Sequence, residues 1–354
     1  MPISKASNAV LAKARSLYGR RLTPADYQAL AACRTMPELA DALKNRPLYA
    51  AALANVSPAT ARRANLELDL RESIFHRYAS LCRYEMSAGE TVYQYFILCC
   101  DLDEITTWLR YLDSGCPGDY LFVLPDFLEK HTQLDLYQLA KARSIDDLLR
   151  VLHGTPYGAA LAPLSALSGR PGTVGVLAQA APMLAALRHK ALVALAPQAK
   201  LSAGGTQPGI REYIEWECDA EMIPYAARMK RLNLAPAAMR AQLALDCTAL
   251  THLQWDALLS AKDSAAFRAA LDKTCYGRGL AAESQPHLQE RFEALRFRWC
   301  RKWLRFSTDP VLVMLCYIFL AKNEVSNLNH IIEGVHYGLP AAEILPLVNG
   351  CDVA

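Results

Sequence analysis

The sequence contains no C-x-x-C pair, no G-x-x-x-x-G-K-[ST], no G-x-G-x-x-G and no H-E-x-x-H. No cysteine zinc cluster, phosphate cradle, dinucleotide fingerprint or metalloprotease helix is therefore visible. Long charge-free apolar runs are missing too. Residues 311–321 give 11, and 172–187 are interrupted by Gly175 and Pro182. A membrane span needs about 20 apolar residues, so no transmembrane segment is predicted and 311–321 reads as a buried helix. Charge is modest, at 21% charged residues and net +3, which excludes a bulk polycation. The 53% apolar content excludes disorder, and 17 Gly and 19 Pro exclude collagen-like or low-complexity sequence.

What remains is a foldable chain of 354 residues, with room for two or three domains. Its 11 cysteines are odd in number and scattered, several of them (Cys99, Cys100, Cys316) within apolar runs. That usage fits small core residues in a reducing compartment without structural disulfides. Met1-Pro2-Ile3-Ser4-Lys5 has no apolar signal core, which predicts a cytoplasmic location.

The chain repeats itself. Arg34-Thr35-Met36-Pro37-Glu38-Leu39 leads through Leu43 to Tyr49-Ala50 and Leu53. Arg143-Ser144-Ile145-Asp146-Asp147-Leu148 leads through Leu152 to Tyr157-Gly158 and Leu161. Lys262-Asp263-Ser264-Ala265-Ala266-Phe267 leads through Leu271 to Tyr276-Gly277 and Leu280. Thr35, Ser144 and Asp263 are N-cap residues, with Glu38 and Asp147 placed for capping boxes. The apolar pairs four apart share a helix face. The Tyr-Gly or Tyr-Ala step is expected to end the helix and turn the chain, glycine being the favoured exit.

A second element alternates with these boxes: a helix, a stop, and a Pro-started helix. Leu11 precedes Leu22-Thr23-Pro24 by eleven residues, as Ile223 precedes Leu234-Ala235-Pro236 and Leu328 precedes Leu339-Pro340. A looser copy runs from Asp101 and Ile105 across an insertion at 114–120 to Leu124-Pro125. Asp101, Asp219 and Glu324 occupy one place in this element, four residues before the aligned Ile or Leu. Such recurrence points to architecture, and it outweighs the superficial likeness of Asp101-Leu102-Asp103-Glu104 to the metal motif of all-α prenyl synthases.

The pattern predicts an all-α fold of three similar helical domains, 1–116, 117–235 and 236–354. The stretch 163–209 breaks the rhythm, with eleven Gly or Pro residues, four basic residues and no acid. It is expected to hold one apolar helix at 174–195 between mobile loops at 168–172 and 203–209. No catalytic, cofactor or metal residues are assigned. His330 and His336 are six apart, which does not put them on one helix face.

The segment 291–306 holds five Arg and one Lys against one Glu, so its charge is +5 and the rest of the chain sums to −2. Phe292, Leu295, Trp299, Trp303 and Phe306 form one helical stripe. Three readings stand: a core helix with a solvated basic face, a contact for acidic protein or membrane headgroups, and nucleic-acid binding. The core reading leads, because the apolar run that follows would complete a buried hairpin.

Asn8-Ala9-Val10-Leu11-Ala12-Lys13-Ala14-Arg15, followed by Gly19-Arg20-Arg21-Leu22-Thr23 and Tyr27, resembles the opening of the C subunit of V-type and A-type ATPases. Eukaryotes call its counterpart subunit d. Ala321-Lys322-Asn323-Glu324-Val325-Ser326-Asn327-Leu328, with Gly338-Leu339-Pro340, is similar to that family's closing motif. The resemblance implies a funnel of three all-α domains around a pseudo-threefold axis and a central opening. It implies a non-catalytic rotor socket, without cofactor, for ion transport driven by or driving ATP chemistry. The implied partners are the central stalk subunits D and F and the proteolipid (c) ring. The implied place is peripheral, on the cytoplasmic face of the membrane, without nucleic acid. Arg296, Arg298, Arg301, Lys302 and Arg305 are the candidate partner contacts. Reversing Arg296, Arg298 and Arg301 is expected to weaken assembly and leave the fold intact. The other class of function that the residues allow is a helical adaptor or scaffold unrelated to ATPases.

Overall fold

The structure, a computed structural model, describes residues 5–84, 89–167, 175–195, 209–243, 245, 247–283 and 287–349. The expected loops at 168–172 and 203–208 lie outside the described residues. Among the described residues there are helices and turns and no strand, so the fold is all-α. The chain divides into two compact units, residues 1–151 with 300–354, and residues 152–299.

In the first unit the helices are α1 (Lys5–Gly19), α2 (Pro24–Ala31), α3 (Met36–Lys44), α4 (Arg63–Cys82), α5 (Gly89–Asp113), α6 (Leu136–Lys141) and α7 (Ile145–Val151). The second unit holds α8 (Pro156–Leu161), α9 (Val176–Val193), α10 (Ile210–Arg231), α11 (Pro236–Ala241), α12 (His252–Leu259), α13 (Ser264–Leu271) and α14 (Gly277–Ala281). Helix α15 (Leu288–Phe306) carries residues of both units, and α16 (Pro310–His336) and α17 (Ala341–Ile344) return to the first.

Helix α16 organises the first unit. Asp309 caps it, its Oδ1 accepting from the Val311 and Leu312 amides at 2.9 and 3.2 Å, with Pro310 at the first helical position. It ends at Gly338, whose φ of 69° is left-handed. There the Leu339 amide returns to the Gly334 carbonyl at 2.8 Å and the Gly338 amide to Val335 at 3.1 Å, a Schellman stop. The helix buries Val311 through Ile318 without a break and then alternates, exposing Lys322 and Ser326. Its length and hydropathy would suffice to cross a membrane, but 78% of the apolar window is buried inside the chain. It packs mainly on α4 and α1. The expected hairpin with 291–306 is not its principal packing, because the long apolar flanks of α1 and α4 occupy that place.

The second unit closes over Met222, Ile223, Trp255, Phe267, Tyr276 and Phe292. Helix α10 packs on α9 and α13, and α12 on α13 and α11. The apolar helix expected at 174–195 is α9, which keeps Pro182 within it.

Each repeated helix starts as its cap predicts. Thr35 and Asp263 accept from the Glu38 and Ala266 amides at 3.4 and 2.8 Å, and Ser144 accepts from the Asp147 amide at 3.2 Å. Glu38 and Asp147 reach back to the amides of Arg34 and Arg143, one residue before the cap. The paired side chains Leu39/Leu43, Leu148/Leu152 and Phe267/Leu271 are buried.

The Tyr-Gly step works differently from the expected helix exit. Neither Gly158 nor Gly277 has a positive φ. A Cβ on Gly158 would lie 2.3 Å from the Leu152 carbonyl oxygen, and on Gly277 2.1 Å from that of Asp272. Glycine is required there because the backbone passes too close for a side chain, not because the chain turns left-handed.

Candidate functional site

The three repeated acids are buried, Asp101 and Asp219 at 0% exposure and Glu324 at 8%. Each carboxylate reaches from its long helix to the segment entering a capped short helix. Glu324, on α16, accepts from the Leu22 amide at 2.9 Å, and Thr23 then caps α2. Asp101, on α5, accepts from the Gln133 amide at 3.3 Å and the Thr132 hydroxyl, just before Asp135 caps α6. Asp219, on α10, accepts from the Ala249 amide at 2.9 Å and the Thr248 hydroxyl, just before Thr251 caps α12.

The Tyr boxes add a second anchor. Tyr49 donates its hydroxyl to Glu324, and Tyr276 donates to Asp219 at 2.7 Å. Tyr157, the corresponding residue of the middle box, is also buried. Thr132 and Thr248 tighten the turns, their hydroxyl oxygens accepting from the Leu134 and Leu250 amides at 2.9 and 3.0 Å. Trp255 Nε1 donates to the same Thr248 oxygen at 3.0 Å.

These are architectural latches. Burial pushes the Asp219 carboxyl above its ordinary range, against the opposing donors from Thr248, Tyr276 and Ala249. Burial raises Glu324 likewise, against the hydrogen bonds from Tyr49 and Leu22 and the charge of Arg77. The tyrosines move upward through burial and the neighbouring acid, so their hydroxyls stay protonated and donate. A further buried acid, Glu104, accepts from Tyr120 at 2.8 Å and pairs with Arg71.

The basic helix divides into engaged and exposed parts. Arg296 pairs with Glu217, donates to the Tyr213 hydroxyl at 2.9 Å, and lies 5.3 Å from the Tyr213 ring centroid. Arg298 pairs with the buried Glu283. Among the described residues, no carboxylate lies within 4 Å of Arg301, Lys302 or Arg305. Lys302 sits 5.0 Å from the Trp303 ring centroid. The buried seam is Phe292, Phe297, Cys300 and Leu304, while Phe306 is 68% exposed. Trp299 is half-buried, its indole nitrogen donating to Glu212 at 3.0 Å. The expected stripe is therefore rotated, because Glu212 and Glu217 on α10 draw Trp299 and Arg296 toward that helix. A reversal at Arg296 or Arg298 would set carboxylate against carboxylate, so the expectation of an intact fold does not hold for them.

Sequence reasoning found the recurring acids but missed Thr132 and Thr248. Their signal is a shared Thr-x-Leu followed at once by a helix cap, Thr132-Gln133-Leu134-Asp135 and Thr248-Ala249-Leu250-Thr251. Among the described residues no three His, Cys, Asp or Glu side chains come together as a metal centre. The described cysteines are free thiols, and burial raises that of Cys82 to about 12.

Capped helices, recurring on buried acid latches, define a repeat-built helical protein in which the buried charge serves structure. Across residues 10–346 the chain matches the family model of the ATP synthase (C/AC39) subunit. It belongs to that family, the C/d subunits of V/A-type rotary ATPases. No curated protein matches the chain.

Proposed function

We propose that the protein is a non-catalytic rotor subunit, a socket coupling the central stalk to the proteolipid ring. Family membership over residues 10–346 is the observation that carries this reading. Its partners in this reading are stalk subunits D and F on one side and the c ring on the other. Its place is peripheral, on the cytoplasmic face of the membrane. The repeat supports a build of three domains, 1–116, 117–235 and 236–354, around a pseudo-threefold funnel.

A torque coupler needs stiffness between two protein surfaces. Latches that tie long helices to the caps of short ones supply it, since a buried hydrogen-bonded carboxylate is costly to pull away from its donors. Of the five basic candidates, Arg301, Lys302 and Arg305 are proposed to meet an acidic partner surface, with Arg296 and Arg298 holding the helix in place. The test is copurification of the tagged chain with subunits D and F and with the detergent-solubilised c ring. Recovery of both supports the socket, and recovery of neither overturns it.

A further inference from the structure

Within the first unit a cavity of about 250 Å³ opens between α4, α5, α16 and the short turn of Phe127 and Leu128. Its wall is apolar and largely aromatic, formed by Ile74, Phe75, Phe96, Phe127 and Val325. Phe75 is the hub, its ring stacked on Phe96 at 5.7 Å between centroids and tilted against Phe127 at 5.3 Å. The cations that line the cavity are already matched. Lys322 Nζ donates to Asp103 Oδ2 at 3.1 Å, and Arg71 pairs with the fully buried Glu104. Asn329, which also lines the cavity, is not matched in this way. Its Oδ1 is buried and accepts no hydrogen bond among the described residues.

We propose that this cavity is a binding site for a small uncharged aromatic alcohol, a phenol with a short apolar tail. Each cation has its own carboxylate, so an ion entering the cavity would give up its hydration and find no free counter-charge. An uncharged ligand avoids that cost. The group left unsatisfied is an acceptor, so the ligand must bring a donor, and a hydroxyl supplies one. The size suits a ring, since an apolar cavity of about 150 Å³ takes benzene and the larger volume leaves room for a short tail. Three phenylalanine rings offer the faces and edges against which an aromatic body packs. An apolar wall with one directing polar group is the arrangement by which ligand sites set orientation. The latch acid Glu324 does not line the cavity, so this site is separate from the latches and does not depend on the rotor reading.

The test uses the full chain at neutral pH and titration calorimetry with para-propylphenol. Para-propyltoluene replaces the hydroxyl with a methyl group of similar size, and para-propylbenzoate makes the head an anion. Saturable binding of the phenol is expected, at least tenfold tighter than the benzoate. Asn329→Leu keeps the side-chain volume and removes the acceptor. The ratio of phenol to toluene affinity is expected to fall at least fivefold in this variant, because only the phenol loses a partner. Ser326→Trp starts from an exposed lining residue and is expected to fill the cavity and abolish binding of both. Thermal melts establish that the variants fold, and if Asn329→Leu does not, saturation in the parent and its discrimination against the benzoate decide. Absent saturation, a benzoate that binds as tightly as the phenol, or an unchanged affinity ratio in Asn329→Leu overturns the proposal. A failed copurification with D, F and the c ring would leave this result standing.

Discussion

The hydroxyl of Tyr276 donates to Oδ2 of Asp219 at 2.7 Å, across 57 residues of chain. The same oxygen takes the Ala249 amide at 2.9 Å, so one carboxylate ties a Tyr box and a capped helix to α10. Tyr276→Phe keeps the ring's edge contacts with Trp216 and Phe292, at 4.6 and 5.4 Å between centroids. It removes only the donor from a buried, charge-assisted bond. A loss of about 1–3 kcal/mol is expected. Urea unfolding measures it, and a variant as stable as the parent would show that the latch carries no energy.

How much of this was legible follows from where the information sits. Caps are local, so Thr35, Ser144 and Asp263 could be read directly. The acids could be found because Asp101, Asp219 and Glu324 hold one place in the repeat. Their donors were harder. The second and third copies use Thr132 and Thr248, whereas at the first, Glu324 bonds the Leu22 amide just before the cap Thr23. The partners of Arg296 and Arg298 depend on which helices pack together, which residue periodicity does not encode. The Tyr-Gly step reads in sequence as a helix exit, whereas the close approach of the Leu152 and Asp272 carbonyls to Gly158 and Gly277 leaves no trace there.

Gly277→Ala tests that clash. The new methyl would meet the Asp272 carbonyl carbon at 2.5 Å and its oxygen at 2.1 Å, and both are backbone atoms that cannot swing aside. A cost of roughly 2–3 kcal/mol is expected, read as a lower urea midpoint with an unchanged slope. Gly19→Ala is the control, since nothing lies within 4 Å of its added Cβ, and it should hold or slightly raise stability. Equal midpoints for the two variants would remove the steric account.

Glu221 sets an acid limit on the second unit. Burial alone would raise its carboxyl, but the hydrogen bond from His189 and the charge of Arg188, at 3.2 and 2.6 Å, pull it down to about 2. The folded value lies below the ordinary 4.5, so the group contributes its stability above 4.5. That contribution drains away as pH falls from 4.5 toward 2. The parent should exceed Glu221→Gln by on the order of 2 kcal/mol at pH 6 after solvent screening, with the gap closing below pH 4. Urea unfolding from pH 3 to 6 tests this, and a gap independent of pH would mean the acid is not held low.

The basic helix makes two opposite predictions from one charge change. Arg296→Glu places a carboxylate beside Glu217, in a pair whose side chains are 12% and 13% exposed, and removes the donor to Tyr213. Breaking a buried pair from one side costs about 3–5 kcal/mol, so this variant should lose stability whether or not a partner is present. The double reversal Lys302→Glu with Arg305→Glu touches exposed side chains without a neighbouring carboxylate among the described residues. Its unfolding should stay within about 0.5 kcal/mol of the parent. What it should lose is assembly, with weaker retention of its partners and a reduced dependence of that retention on salt, since exposed charges act over roughly a Debye length. Retention and salt dependence equal to the parent's would show that the exposed turn meets no acidic surface, and the helix would then serve only to brace the fold through Arg296 and Arg298.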